Sequence, residues 1–142
     1  KSRSRGLGDV YKRQVYCMAN LDLIVVEENP NHLEEFRSSL ADSTLSVQYF
    51  TDGEETLNKL EEIRPKVLVI SLEMDSVSVE DFLIRFSQKC IWDNMAVIIA
   101  SNQDIPKKDF FSLASLGASD TLKKPIDRVE FLEKLNHFKS AA

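Results

Sequence analysis

Short apolar runs alternate along the chain with stretches whose apolar residues recur every three or four positions. Leu23-Ile24-Val25-Val26, Val67-Leu68-Val69-Ile70 and Val97-Ile98-Ile99-Ala100 are continuously apolar, as strands buried on both faces of a parallel sheet must be. Val47, Tyr49 and Phe50 mark another strand, and Gly117 to Lys123 a fifth. The intervening stretches carry helix signals. Asn29-Pro30 sets an N-cap ahead of Leu33, Phe36 and Leu40, and Asp52-Gly53-Glu54-Glu55 has capping-box spacing ahead of Leu57, Leu60 and Ile63. Val79 to Cys90 offers Phe82, Leu83 and Phe86 as an inner face. Pro106 opens a fourth helix that Gly117 ends, and Asp127 and Glu130 can cap a fifth carrying Phe131, Leu135 and Phe138. The pattern predicts an α/β fold: a doubly wound, five-stranded parallel sheet with five helices.

Right-handed crossovers put the C-terminal ends of all parallel strands on one edge of such a sheet. Glu27, Glu28, Ser71, Ser101 and Lys124 each follow or end a predicted strand, so they are expected to converge there. An acidic pair, a strand-end acceptor position, a strand-end hydroxyl and a Lys-Pro, in that order, resemble the receiver domain of two-component response regulators. The resemblance covers about residues 21 to 139 and implies the flavodoxin-like topology of that family. It also implies that Ser101 and Lys124 correspond to the hydroxyl and lysine that read a phosphoryl group. Pro125 corresponds to a proline that follows a cis peptide.

The departures from the family pattern carry as much information. The third strand of a receiver ends in the aspartate that accepts the phosphoryl group, and here that position is Ser71. A carboxylate is already a nucleophile at neutral pH, whereas a serine hydroxyl needs a neighbouring base. His32, in the first turn after the acidic pair, is the only imidazole expected nearby, and it reads more simply as a solvated helix residue. His137 lies far along the last helix. Magnesium takes an octahedral oxygen shell with one or two carboxylates, so Glu27 and Glu28 without an aspartate at 71 imply weak metal binding if any. Lys124 is their expected counter-charge. Glu73 stands where it can replace the lost carboxylate, although a solvated loop position is the simpler expectation. Thr121 stands where receivers usually carry an aromatic switch residue, and Met74-Asp75 and Val79 where they usually carry Met-Pro and a glycine turn.

Phe110 and Phe111 are adjacent in the fourth helix and cannot both face the core. The resemblance implies that the second packs inward, which leaves Phe110, with Thr121, as a candidate partner surface on helix four, strand five and helix five.

Composition narrows the classes. The chain has 142 residues, 43% apolar content, 4 Gly and 4 Pro, which suits one compact domain with no linker, repeat or output domain. Cys17 and Cys90 form neither a disulfide framework nor a metal spacing, so a reducing cytoplasm is the default, and Cys90 reads as a small buried hydrophobe. No apolar run reaches the ~20 residues of a membrane span. Asp9-Val10-Tyr11-Lys12-Arg13-Gln14 looks like the translation of a transposon adapter used in sequencing libraries. Residues 1–17 are therefore read as an artefactual or disordered tail, Met18 as the native start, and 18–142 as the domain. Beyond that tail 13 basic residues face 22 acidic ones, a net charge of −9, which speaks against nucleic-acid binding.

These features lead to a stand-alone receiver-like domain that is not an enzyme. It needs no phosphorylation and no cofactor beyond weak magnesium, and it acts as a monomer or weak dimer. Its partner would be a signalling protein, such as a histidine kinase or another regulator. One alternative is an active receiver whose acceptor is Glu73 or Ser71 itself. Another is a small flavodoxin-like enzyme or nucleotide-binding domain. That class calls for a Gly-rich phosphate loop after a strand, and no strand here is followed by one.

Overall fold

The computed structural model describes residues 21–89 and 95–141. Cys17, Met18, Cys90 and the expectations for residues 1–17 lie outside the described residues. Five strands, β1 (Leu23–Val26), β2 (Val47–Phe50), β3 (Val67–Ser71), β4 (Ala96–Ser101) and β5 (Asp120–Lys123), form one sheet in the order β2-β1-β3-β4-β5. Every pairing is parallel, with Leu23 opposite both Val47 and Val67, Val67 opposite Ala96, and Ile98 opposite Asp120. Five helices connect and follow the strands: α1 (Pro30–Ser39), α2 (Gly53–Lys59), α3 (Val79–Lys89), α4 (Lys107–Ser115) and α5 (Arg128–Ala141). This is the doubly wound fold that the hydrophobic pattern predicts.

Strand side chains alternate between two cores, as a period of two requires. Ile24, Val26, Leu68, Ile70, Val97 and Ile99 face α2, α3 and α4, where Leu57, Phe82, Leu83, Phe86 and Leu113 meet them. Leu23, Val25, Val67, Val69, Ile98 and Ala100 face α1 and α5, contacting Phe36, Leu40, Phe131 and Leu135. The Phe36 and Phe131 rings meet edge-to-face at 5.6 Å between centroids, which fixes α1 against α5. With β1, β3 and β4 buried almost throughout, the polar positions of these three strands lie at their ends.

The local start and stop signals act as expected. Asn29 Oδ1 accepts from the N–H groups of Asn31 and His32, with Pro30 at the first helical position. Asp52 caps α2 through the Glu55 N–H, and Asp127 caps α5 through those of Val129 and Glu130. Gly117 adopts φ 121°, a left-handed conformation that ends α4 and shortens the fifth strand to Asp120–Lys123.

One orientation differs from expectation. Phe111 is 69% exposed, while Phe110 is part-buried against the core. The phase of α4 is set by Leu113, which is buried, and Phe110 lies one turn before it on the same face. Phe111 is therefore rotated to the solvent side, the reverse of what the family resemblance implies.

Candidate functional site

The C-terminal sheet edge gathers Glu27, Ser71, Ser101 and Lys124 into one buried polar cluster. Their relative exposures are 0%, 0%, 1% and 2%. Lys124 follows β5, and its N–H donates to the Ser101 carbonyl (2.8 Å), so the lysine is fixed against the end of β4. The Lys124-Pro125 peptide is cis, as the resemblance implies for Pro125. The ammonium donates to Glu27 Oε1 at 2.7 Å, Ser71 Oγ at 2.8 Å and Glu73 Oε1 at 3.1 Å, and His32 Nδ1 lies 3.1 Å from it. An ammonium has three protons to donate and no lone pair. Glu27, Ser71 and Glu73 suffice to take all three, with His32 Nδ1 beside them.

Two of these partners correct the sequence reading. Glu73, although it faces solvent on one side, is not a free loop residue. Its Oε2 accepts the Ser101 hydroxyl at 2.6 Å, and its Oε1 accepts from Lys124 and from the Asn102 N–H at 3.3 Å. Its own N–H donates to Ser71 Oγ (3.2 Å), which turns the chain after β3 back over the site. Burial works to raise the Glu73 carboxyl pKa. The Ser101 hydroxyl, the hydrogen bond and charge of Lys124, and the Asn102 N–H outweigh it and hold the group below the ordinary value of 4.5. His32, expected to be solvated, lies 3.1 Å from the lysine and 3.8 Å from Glu27 Oε1. The first turn of α1 stands directly over the end of β1 and brings it there. His137 is exposed, its ring 4.9 Å from that of Phe138 and outside the cluster.

The acidic pair separates. Glu27 Oε2 accepts from the Asn29 N–H at 3.0 Å, so both of its oxygens are engaged. Glu28 turns toward the loop between β3 and α3, accepting from the N–H groups of Asp75 (2.8 Å), Ser76 (3.2 Å) and Gly53 (3.2 Å) and from the Ser76 hydroxyl. Burial acts to raise its pKa, but the bonds from Ser76 and from the three backbone N–H groups prevail and lower it. Ser76 and Asn102 are site residues that the sequence reading missed. Their only signal was the excess of donors that two committed glutamates need.

This donor set does not fit a magnesium ion. Glu27 is paired with an ammonium, Glu28 is taken by loop amides, and Ser71 offers a neutral oxygen already accepting a proton. Among the described residues no group of three or more His, Cys, Asp or Glu is placed to hold a metal.

Beside this edge, Ile105, Lys107, Phe110, Phe111, Asp120 and Thr121 line an open groove of about 400 Å³ between α4 and β5. Thr121 and Phe110 thus share a surface, with Phe111 as its projecting aromatic. Among the described residues no helix is long and apolar enough to cross a membrane.

Comparison with known proteins agrees with this architecture. The model of the response regulator receiver domain matches residues 23–136. The chain belongs to that family. Among solved structures it is similar to the N-terminal domain of an uncharacterized protein from Wolinella succinogenes, at 23% identity and a TM-score of 0.72, covering 85% of this chain and 95% of that one. The chemotaxis protein CheY4 of Vibrio cholerae is similar at 19% identity and a TM-score of 0.74, covering 84% and 99%. The receiver domain of a Francisella response regulator is similar at 20% identity and a TM-score of 0.74, covering 86% and 98%. Among curated proteins none is significantly similar in sequence.

Proposed function

We propose that residues 18–142 form a pseudo-receiver: a module of two-component signalling that binds a protein partner without being phosphorylated and catalyses no reaction of its own. The observation that carries this reading is the state of Ser71. Its oxygen, at the position where the family has a carboxylate nucleophile, already accepts from Lys124 and from the Glu73 N–H. The carboxylates and the imidazole that share its surroundings, Glu27, Glu73 and His32, are themselves directed at Lys124. The partner surface is the groove of Phe110, Phe111 and Thr121, with Phe111 as the exposed anchor. A net-acidic domain and a committed acidic pair fit a cytoplasmic protein-binding module better than a nucleic-acid or metal-dependent one.

The test is to titrate magnesium and then a small-molecule phosphodonor into isotope-labelled protein. Amide resonances of Ser71, Ser101 and Lys124 should stay in place. Saturable shifts that spread to α4 and β5 would overturn the proposal. A second reading has one specific observation behind it. Glu73 is a carboxylate in direct contact with Ser101 and Lys124, so it is the group on which an active receiver with a displaced acceptor would carry its phosphoryl.

A further inference from the structure

Lys124 has a buried counter-ion in Glu27, at 2.7 Å, so charge balance alone does not call for a second carboxylate. Glu73 nevertheless brings one, and it reaches donors from separate segments. The Ser101 hydroxyl ends β4, the Asn102 N–H opens the following loop, and the Lys124 ammonium follows β5. Ser101 and Lys124 are almost wholly buried, whereas the Glu73 side chain is 35% exposed. Glu73 thus covers Ser101 and Lys124 from the solvent side, while the Asn102 N–H reaches it from an exposed loop. A hydroxyl, a backbone N–H and an ammonium converging on two oxygens is the donor set that binds small oxyanions.

We propose that the Glu73 carboxylate is a tethered resident ligand of the donors Ser101 Oγ, Asn102 N and Lys124 Nζ, taking the place of a free oxyanion in the cradle they form. A free oxyanion enters it only when that carboxylate is removed. The inference rests on the reading that the domain works unphosphorylated, and it states why. An internal carboxylate already makes the contacts that an external anion would make, so a free anion has no open donors to take at the end of β4.

The probe is inorganic phosphate, titrated against matched ionic strength in sodium chloride and followed by the amide resonances of Asn102 and Gln103. A tethered carboxylate competes at an effective concentration in the millimolar range, so Glu73→Ala should bind phosphate roughly ten-fold or more tightly than the wild type. Its shifted resonances should return toward wild-type positions as the site fills. The double variant Glu73→Ala/Ser101→Ala lacks the hydroxyl and should bind no more tightly than the wild type. Glu73→Gln keeps the side-chain volume and loses only the charge, which covers the case in which truncation unfolds the domain. It too should gain saturable phosphate binding over the wild type. Equal phosphate binding by wild type and both single variants, or binding by none, overturns the cradle. Neither result depends on whether the wild type can be phosphorylated, so the two proposals fail separately.

Discussion

The Ser101 hydroxyl donates to Glu73 Oε2 at 2.6 Å, tying the loop after β3 to the end of β4. Through the same carboxylate both are joined to Lys124 beyond β5. Three adjacent strands are thereby clasped at one edge by side chains, in addition to their backbone ladder. The site is an internally satisfied polar network: among the described residues no buried side-chain N or O lacks a hydrogen-bond partner.

Such a network is sensitive to removal of its cation. Lys124→Met should leave Glu27 as an uncompensated buried charge and cost roughly 3–5 kcal/mol in urea unfolding. Adding Glu27→Gln should recover much of that loss, because the orphaned charge goes with it. A double variant less stable than the sum of the two single losses would contradict the pairing.

How much of this was legible in the sequence follows from its physics. The strands are buried on both faces, so Leu23 to Val26 and Val67 to Ile70 had to be apolar throughout, and their order fixed which ends meet. Asn29, Asp52 and Asp127 announce their helices because a cap acts within three residues. Glu73 and His32 were misplaced because their positions depend on how a loop and a first turn fold back over the sheet. Strand periodicity does not encode that. One signal was present: a buried lysine beside a serine in place of an aspartate leaves room for another carboxylate, and Glu73 is two residues away. Phe110 and Phe111 were exchanged because adjacent aromatics differ only in helical phase, which Leu113 sets.

That corrected phase gives a paired prediction. Phe111→Ala should leave the melting temperature nearly unchanged and weaken partner binding by about 2 kcal/mol or more, as loss of an exposed anchor does. Phe110→Ala should destabilise the domain, by less than the roughly 3–5 kcal/mol of a fully buried phenylalanine. A larger melting loss for Phe111→Ala would reverse the assignment.

Acid unfolding reports on Glu28. Its folded-state pKa lies below the ordinary 4.5, so it stabilises the fold above that pH, and the contribution disappears as the pH falls through the lower, folded value. In Glu28→Gln the unfolding free energy should be lower at neutral pH and should change less between about pH 5 and pH 3 than in the wild type. Parallel acid limbs in the two proteins would show that the Ser76 and backbone contacts do not favour the anion.

Gly53 opens α2, where alanine would ordinarily favour a helix. A Cβ built there would stand 2.5 Å from Val77 Cγ1 and 3.1 Å from Ser76 Oγ. Gly53→Ala should therefore destabilise by about 1–3 kcal/mol, as overpacking does. It should also disturb the loop that Glu28 holds. Val77→Ala in the same chain should reduce the clash, and denaturant midpoints of the two variants would show it.

The central claim is that the acceptor chemistry has been replaced by an internally satisfied network. It is tested most directly by the intact mass of the wild-type protein after incubation with magnesium and a small-molecule phosphodonor. The expected result is an unchanged mass, with Ser71, Glu73 and Lys124 engaged with one another as described. A stoichiometric phosphoryl adduct, mapped to Glu73 or Ser71, would contradict the account and make the domain an active receiver with a displaced acceptor.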